Sequence, residues 1–172
     1  MTSTRGTRDA TDADTARPET TVPGWAVASS LVLAVLGLLD AAYLTFEHYT
    51  SSATLACSES ATVNCLKVTT SSYADIVGIP VALFGLAYFV AMVLLCLPAA
   101  WRRPQLRALR LVAVVVGVLA VLYLVWVELY RVNAICLYCT GVHVITFLLF
   151  VVVALAAAFA EPVLAERPAA DS

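Results

Sequence analysis

The chain has 172 residues, of which 62% are hydrophobic and 13% charged, with a mean hydropathy of +0.91 and a formal net charge of -2. Soluble domains run near half apolar and a quarter charged, so water is not the solvent for most of this sequence. The small negative charge argues against a nucleic-acid surface, and five cysteines are too few to staple a small secreted domain.

Residues 1–23 are rich in Thr, Asp, Arg and Ala with no apolar period, which predicts a disordered tail. Its length and mixed charge also set it apart from the start of a cleaved signal peptide. Residues 25–46 are a long apolar run with aromatic ends and predict a first transmembrane helix. Asp40 interrupts that run, at roughly 2.5 to 3.5 kcal/mol for a carboxylate at a helix centre. A carboxylate at membrane depth points either to function or to a hydrogen bond with a neighbouring helix.

Residues 47–77 are polar, with Ser, Thr and Asn clusters, and contain Cys57 and Cys65. A connection this long within a bundle is functional or disordered, and the two cysteines favour function. Residues 78–98 predict a second span, opened by Ile79-Pro80 with proline in the first turn, where its missing N–H costs nothing. A short basic connection over 101–110 leads to a third span at 111–127, with Trp126 and Tyr130 as interface anchors. After a polar break at 128–134, residues 135–159 predict a fourth span, and 161–172 form a polar tail after which no further domain is expected. The expected fold is all-α and integral to the membrane: a four-transmembrane-helix bundle over residues 24–160 with a long extracytoplasmic loop between helices 1 and 2.

The basic residues set the orientation. Arg5, Arg8 and Arg17 in the first tail, Arg102, Arg103, Arg107 and Arg110 in the middle connection and Arg167 in the last tail fall on one side; only Lys67 and Arg131 fall on the other. The positive-inside rule places both termini in the cytoplasm of a cell with a plasma membrane of this topology. Cys57, Cys65, Cys136 and Cys139 then face outward, where disulfides persist. Cys96 falls at the cytoplasmic end and reads as a buried small hydrophobe.

Cys136 and Cys139 form a C-x-x-C pair at the start of the fourth span. Residues three apart share a helix face, so the pair can alternate between thiols and disulfide, and the helix N-terminus favours thiolate. The loop pair can meet an aqueous partner while the C-x-x-C pair meets an electron sink. Thr140 rather than His follows the motif, so no haem attachment is present, and no Gly-rich nucleotide fingerprint opens a helix. A lipid-soluble quinone is the acceptor that a bilayer supplies directly, and Cys139, one turn deeper, is the candidate to face it. His143 shares that face and can either donate a proton or hydrogen bond to a quinone oxygen or bond a neighbouring helix. Two rival readings remain: a non-catalytic scaffold braced by two structural disulfides, and a four-cysteine zinc site, for which the Cys57–Cys65 spacing is wider than usual.

These residues resemble the vitamin K epoxide reductase family in its bacterial, quinone-linked branch. The resemblance covers roughly residues 25–159 and rests on ordered features: the loop cysteines, Ser71, Tyr73-Ala74, Gly78-Ile79-Pro80, Phe84-Gly85 with Tyr88, and Cys136-Leu137-Tyr138-Cys139. It implies four helices around a quinone, menaquinone or ubiquinone, with Ser71, Phe84, Tyr88 and His143 beside it and the long loop over the outer mouth. It further implies that Cys57 and Cys65 take electrons from a secreted thioredoxin-like protein of the DsbA type and hand them to Cys136, so that Cys139 reduces the quinone in support of disulfide-bond formation. Many bacterial relatives carry a thioredoxin-like domain after the last helix; here the partner is expected on a separate polypeptide. Animal members have an Asn where this chain has Val81, which weakens vitamin K epoxide as a substrate. The DsbB type carries its two pairs in the reverse order.

Overall fold

The structure, a computed structural model, describes residues 22–50, 57, 60 and 62–159. The expected N- and C-terminal tails lie outside these residues. Among the described residues three helices are long and apolar enough to cross a membrane: α1 (Gly24–Tyr49), α5 (Gln105–Val127) with the turn that extends it, and α6 (Leu137–Phe159). Before them in the chain or between them come α2 (Cys65–Thr69), a hairpin of β1 (Asp75–Ile76) and β2 (Ile79–Pro80), α3 (Val81–Cys96) and α4 (Pro98–Trp101). A π-helical turn, Glu128–Val132, joins α5 to the segment before α6.

Within lipid the hydrophobic effect does not drive helices together, so close packing of small residues must do it. α1 shows how: Ala26, Ser30, Ala34, Gly37 and Ala41 recur at helical spacing and are all buried. α1 packs on α3 and α6, and α5 packs on α6. The Phe89 ring of α3 lies directly over Gly37, in space that any side chain would occupy. Ala34, Met92, Cys96, Val114, Leu149 and Val153 form one buried cluster drawn from α1, α3, α5 and α6. The buried hydroxyls of Thr45 and Thr146 donate to carbonyls one turn back, Ala41 and Val142, which satisfies them without water. Leu36, Leu39, Leu119, Leu122, Phe147 and Leu148 are exposed, as lipid-facing positions are.

Several boundaries differ from the sequence expectation, each for a local reason. The second apolar run becomes helical only at Val81, because Ile79 and Pro80 pair antiparallel with Asp75 and Ile76; Pro80 is therefore the N-cap and not a first-turn residue. The helix stops at Cys96, since Leu97 precedes Pro98 and adopts ψ 143°. The basic connection is short, because α5 already begins at Gln105, and Arg110 is buried. Its Nε and Nη2 donate to the Leu95 carbonyl at 3.0 and 2.9 Å, and its guanidinium lies 3.6 Å from the centre of the Trp101 ring. Arg107 Nη2 donates in the same way to the Ala157 carbonyl at 2.9 Å. Both arginines close helix ends whose carbonyls have no partner in their own helix. Arg110→Ala is expected to destabilise the fold by about 1.5–3 kcal/mol, the range for a hydrogen bond to a charged group, and Arg110→Lys to recover only part of it. Unfolding of the detergent-solubilised protein measures both.

Candidate active site

Cys57 and Cys65 are joined in a disulfide, and Cys65, the first residue of α2, is buried. Asn64 caps that short helix, its side chain accepting the Lys67 N–H at 2.8 Å. The segment just before α2 runs parallel to the segment just before α6, with Val63 opposite Ile135. The Asn64 N–H donates to the Ile135 carbonyl at 3.1 Å, and the Ile135 N–H to the Thr62 carbonyl at 3.0 Å. Cys65 follows this bridge by two residues and Cys136 by one, so the two cysteine pairs, far apart in the chain, are brought to the same place. Val68 of α2 packs on Val127, Val132 and Ala134 and seats the loop there.

Cys136 lies one residue ahead of α6 rather than within it. Its sulfur accepts the backbone N–H of Cys139 at 3.3 Å, the position a serine hydroxyl takes at an N-cap. The side chain of Cys139 also hydrogen-bonds this sulfur, and together these bonds lower the Cys136 thiol below its ordinary range against the opposing effect of burial. Cys136 and Cys139 are free thiols, while the loop pair is oxidised. The ring of Tyr138, between them, packs against that of Tyr43 of α1 with centroids 5.0 Å apart and planes tilted by 50°. This ties the C-x-x-C turn to α1.

Cys139 faces a partly open cavity of about 390 Å³ lined by α1, α2, α3, α5, α6, the hairpin and the π-helical turn, within the range of small-molecule sites. Ser71, Phe84, Tyr88 and His143 all line it. Ser71 itself donates to the Val68 carbonyl at 2.8 Å. The buried Tyr88 hydroxyl has no hydrogen-bond partner, and it lies against Gly117, where a side chain would displace it. Asp40 sits beside Gly141: a Cβ there would be 2.9 Å from Asp40 Oδ2. Both Asp40 and Glu128 come within electrostatic range of Cys139. Glu128, buried on the π-helical turn, reads in the sequence as the start of a polar break, whereas Asp40 stands out by interrupting an apolar run. Cys96 is at the other end of α3, buried in the core and hydrogen-bonded to Ser30. Among the described residues no cluster of three or more His, Cys, Asp or Glu is arranged to hold a metal, and the Cys57–Cys65 bond occupies the sulfurs a four-thiolate zinc site needs.

Helices able to cross a membrane, a disulfide-bonded cysteine pair and a thiol pair held beside it are the parts of a membrane redox protein. Residues 28–154 match the vitamin K epoxide reductase family, and with most of its length covered the chain belongs to that family, whose members are membrane oxidoreductases of quinone or vitamin K redox chemistry. A search of curated proteins returns no match.

Proposed function

We propose that this protein is a thiol:quinone oxidoreductase of the plasma membrane, which draws electrons from a secreted thioredoxin-like partner of the DsbA type and delivers them to a membrane quinone, menaquinone or ubiquinone. In this reading α1, α3, α5 and α6 all span the bilayer, the termini are cytoplasmic and the four cysteines face outward. The observation that carries it is the parallel bridge between Val63 and Ile135, which sets the loop pair beside the C-x-x-C pair, whose Cys139 lines the cavity.

The residues present fit a quinone. The cavity is apolar apart from a few groups, its size suits a ring, and the orphaned Tyr88 hydroxyl supplies a donor for a carbonyl oxygen. When bound, the quinone takes up two electrons and two protons. The chain's own residues perform the remaining exchanges. A partner dithiol attacks Cys57, the partly exposed member, and frees Cys65; the partner's second thiol then displaces Cys57, so the partner leaves as a disulfide and both outer cysteines are thiols. The freed Cys65 thiolate attacks Cys136 Sγ of an oxidised C-x-x-C pair, releasing Cys139 as thiolate. Cys57 then attacks Cys65, which restores the outer disulfide and leaves two inner thiols.

The test is made in membranes supplied with a reduced thioredoxin-like dithiol protein and a soluble quinone, with quinone absorbance as the readout. Dithiol-dependent loss of quinone is expected. No turnover across several partners and quinones, with both cysteine pairs oxidised throughout, would favour the alternative, a four-span scaffold braced by two disulfides. Tyr88→Phe is expected to raise the quinone KM about three- to tenfold, the worth of one neutral hydrogen bond, with little change in kcat.

A further inference from the structure

The thiol proton of Cys139 has two acceptors within reach. One is Cys136 Sγ. The other is Glu128, whose carboxylate lines the same cavity as Cys139 and interacts electrostatically with both cysteines of the pair. Glu128 is buried. A carboxylate in such a place is costly unless its oxygens are hydrogen-bonded, and here the groups it interacts with are those of the redox pair itself. The π-helical turn that Glu128 begins is a form found mostly at functional sites, and it directs this carboxylate to the turn ahead of α6.

We propose that Glu128 is a catalytic residue, the base that takes the Cys139 proton and releases it into the cavity as the inner thiols are oxidised; this rests on the function proposed above. The step balances. Closing the Cys136–Cys139 disulfide breaks two S–H bonds, forms one S–S bond and frees two electrons and two protons. Glu128 holds the first proton, so that Cys139 is a thiolate on the cavity side while Cys136 remains the attacking sulfur. The electron pair and both protons pass to the quinone, and Glu128 is left as carboxylate for the next cycle.

Other ionisable groups face this pair. Asp40 approaches from α1 and His143 from α6. α5 brings Tyr123, exposed and stacked on Trp126. From α2, Cys65 is in its disulfide and Lys67 is exposed. Arg131 of the turn lies over the rings of Tyr73 and Trp126 at 5.8 and 5.5 Å. Asp40 is thus the rival acid, and Asp40→Asn is the control.

The full chain is placed in lipid nanodiscs without quinone, with the inner pair reduced and the outer disulfide intact, and iodoacetamide trapping of Cys139 is followed against pH by mass spectrometry. A proton shared within the Cys139–Glu128 pair leaves a fixed fraction of thiolate over about two pH units near neutrality, so trapping is flat there while Glu128 is present. With Cys136→Ala as the common background for these pH series, so that Glu128 is the one remaining acceptor, the rate in Glu128→Gln instead climbs about tenfold per pH unit, as for an isolated thiol. Glu128→Asp and Asp40→Asn retain the plateau. A wild-type rate that climbs about tenfold per pH unit overturns the proposal, whether or not any variant folds; so does a plateau that persists in Glu128→Gln or that Asp40→Asn removes. Quinone turnover in Glu128→Gln with Cys136 present falls about a hundredfold. Because the trapping uses no quinone, absence of turnover in the wild type would count against the proposed function and leave the result for Glu128 standing.

Discussion

Cys139→Ala is expected to lower dithiol-driven quinone reduction by roughly a thousandfold or more, to the background without protein, because it removes the only sulfur among the described residues that lines the cavity. The same variant is expected to accumulate a covalent intermediate. With Cys139 gone, Cys136 can still attack the outer disulfide at Cys65, and no neighbouring thiol remains on the inner side to resolve the product. A Cys65–Cys136 disulfide, detected by proteolysis under non-reducing conditions, is the expected signature. Unchanged turnover in Cys139→Ala would sink the assignment of this residue, and a trapped bond from Cys57 rather than Cys65 would reverse the order of the outer pair.

The second large effect separates two electron donors. Cys65→Ser should abolish turnover driven by a protein dithiol while sparing turnover driven by dithiothreitol, which is small enough to reduce the inner pair directly. Losing the disulfide also releases a short loop, at about 2.5 kcal/mol by the chain-entropy estimate, yet α1, α3, α5 and α6 pack on one another directly and not through this loop. Their packing therefore persists. Equal loss with both donors would mean that Cys65 acts by holding the loop in place and not by exchanging with Cys136.

The hydropathy pattern was enough to locate α1, α5 and α6, because runs of that length and apolarity have few other stable forms. It was misleading where a long-range or strained backbone contact decides the outcome. Gly78-Ile79-Pro80 reads as the start of a span, but Val77 and Gly78 take φ 55° and 78° and turn a hairpin. Such turns are signalled by Asn-Gly or Asp-Gly, and a β-branched residue in that conformation is rare enough to hide it. Arg110 was counted with the surface charges that orient the chain, although its fork is buried on Leu95 and Trp101. Charge type reveals sidedness, whereas burial depends on which helix end lies opposite. The cysteine spacing alone displayed the two pairs, but their meeting depends on a bridge between Val63 and Ile135, and nothing local in either segment announces it. Glu128 was passed over as part of a polar break for the same reason: the groups it interacts with, Cys136 and Cys139, lie beyond the turn.

The length of α3 has a consequence for lipid. Its 16 residues rise about 24 Å, short of the ~30 Å hydrocarbon layer. Ile79 and Pro80, extended at roughly 3.3 Å each, make up most of the difference. Non-helical backbone at that depth is tolerable only if its polar groups are satisfied. The hairpin does this by pairing Ile76 with Ile79, and the Val81 N–H donates to the Ala74 carbonyl at 2.8 Å. In the four-span arrangement, acyl chains on this side therefore meet a two-stranded ribbon over a truncated helix. The leaflet on this side need not thin to match it, and Phe84, which lines the cavity, is itself exposed there.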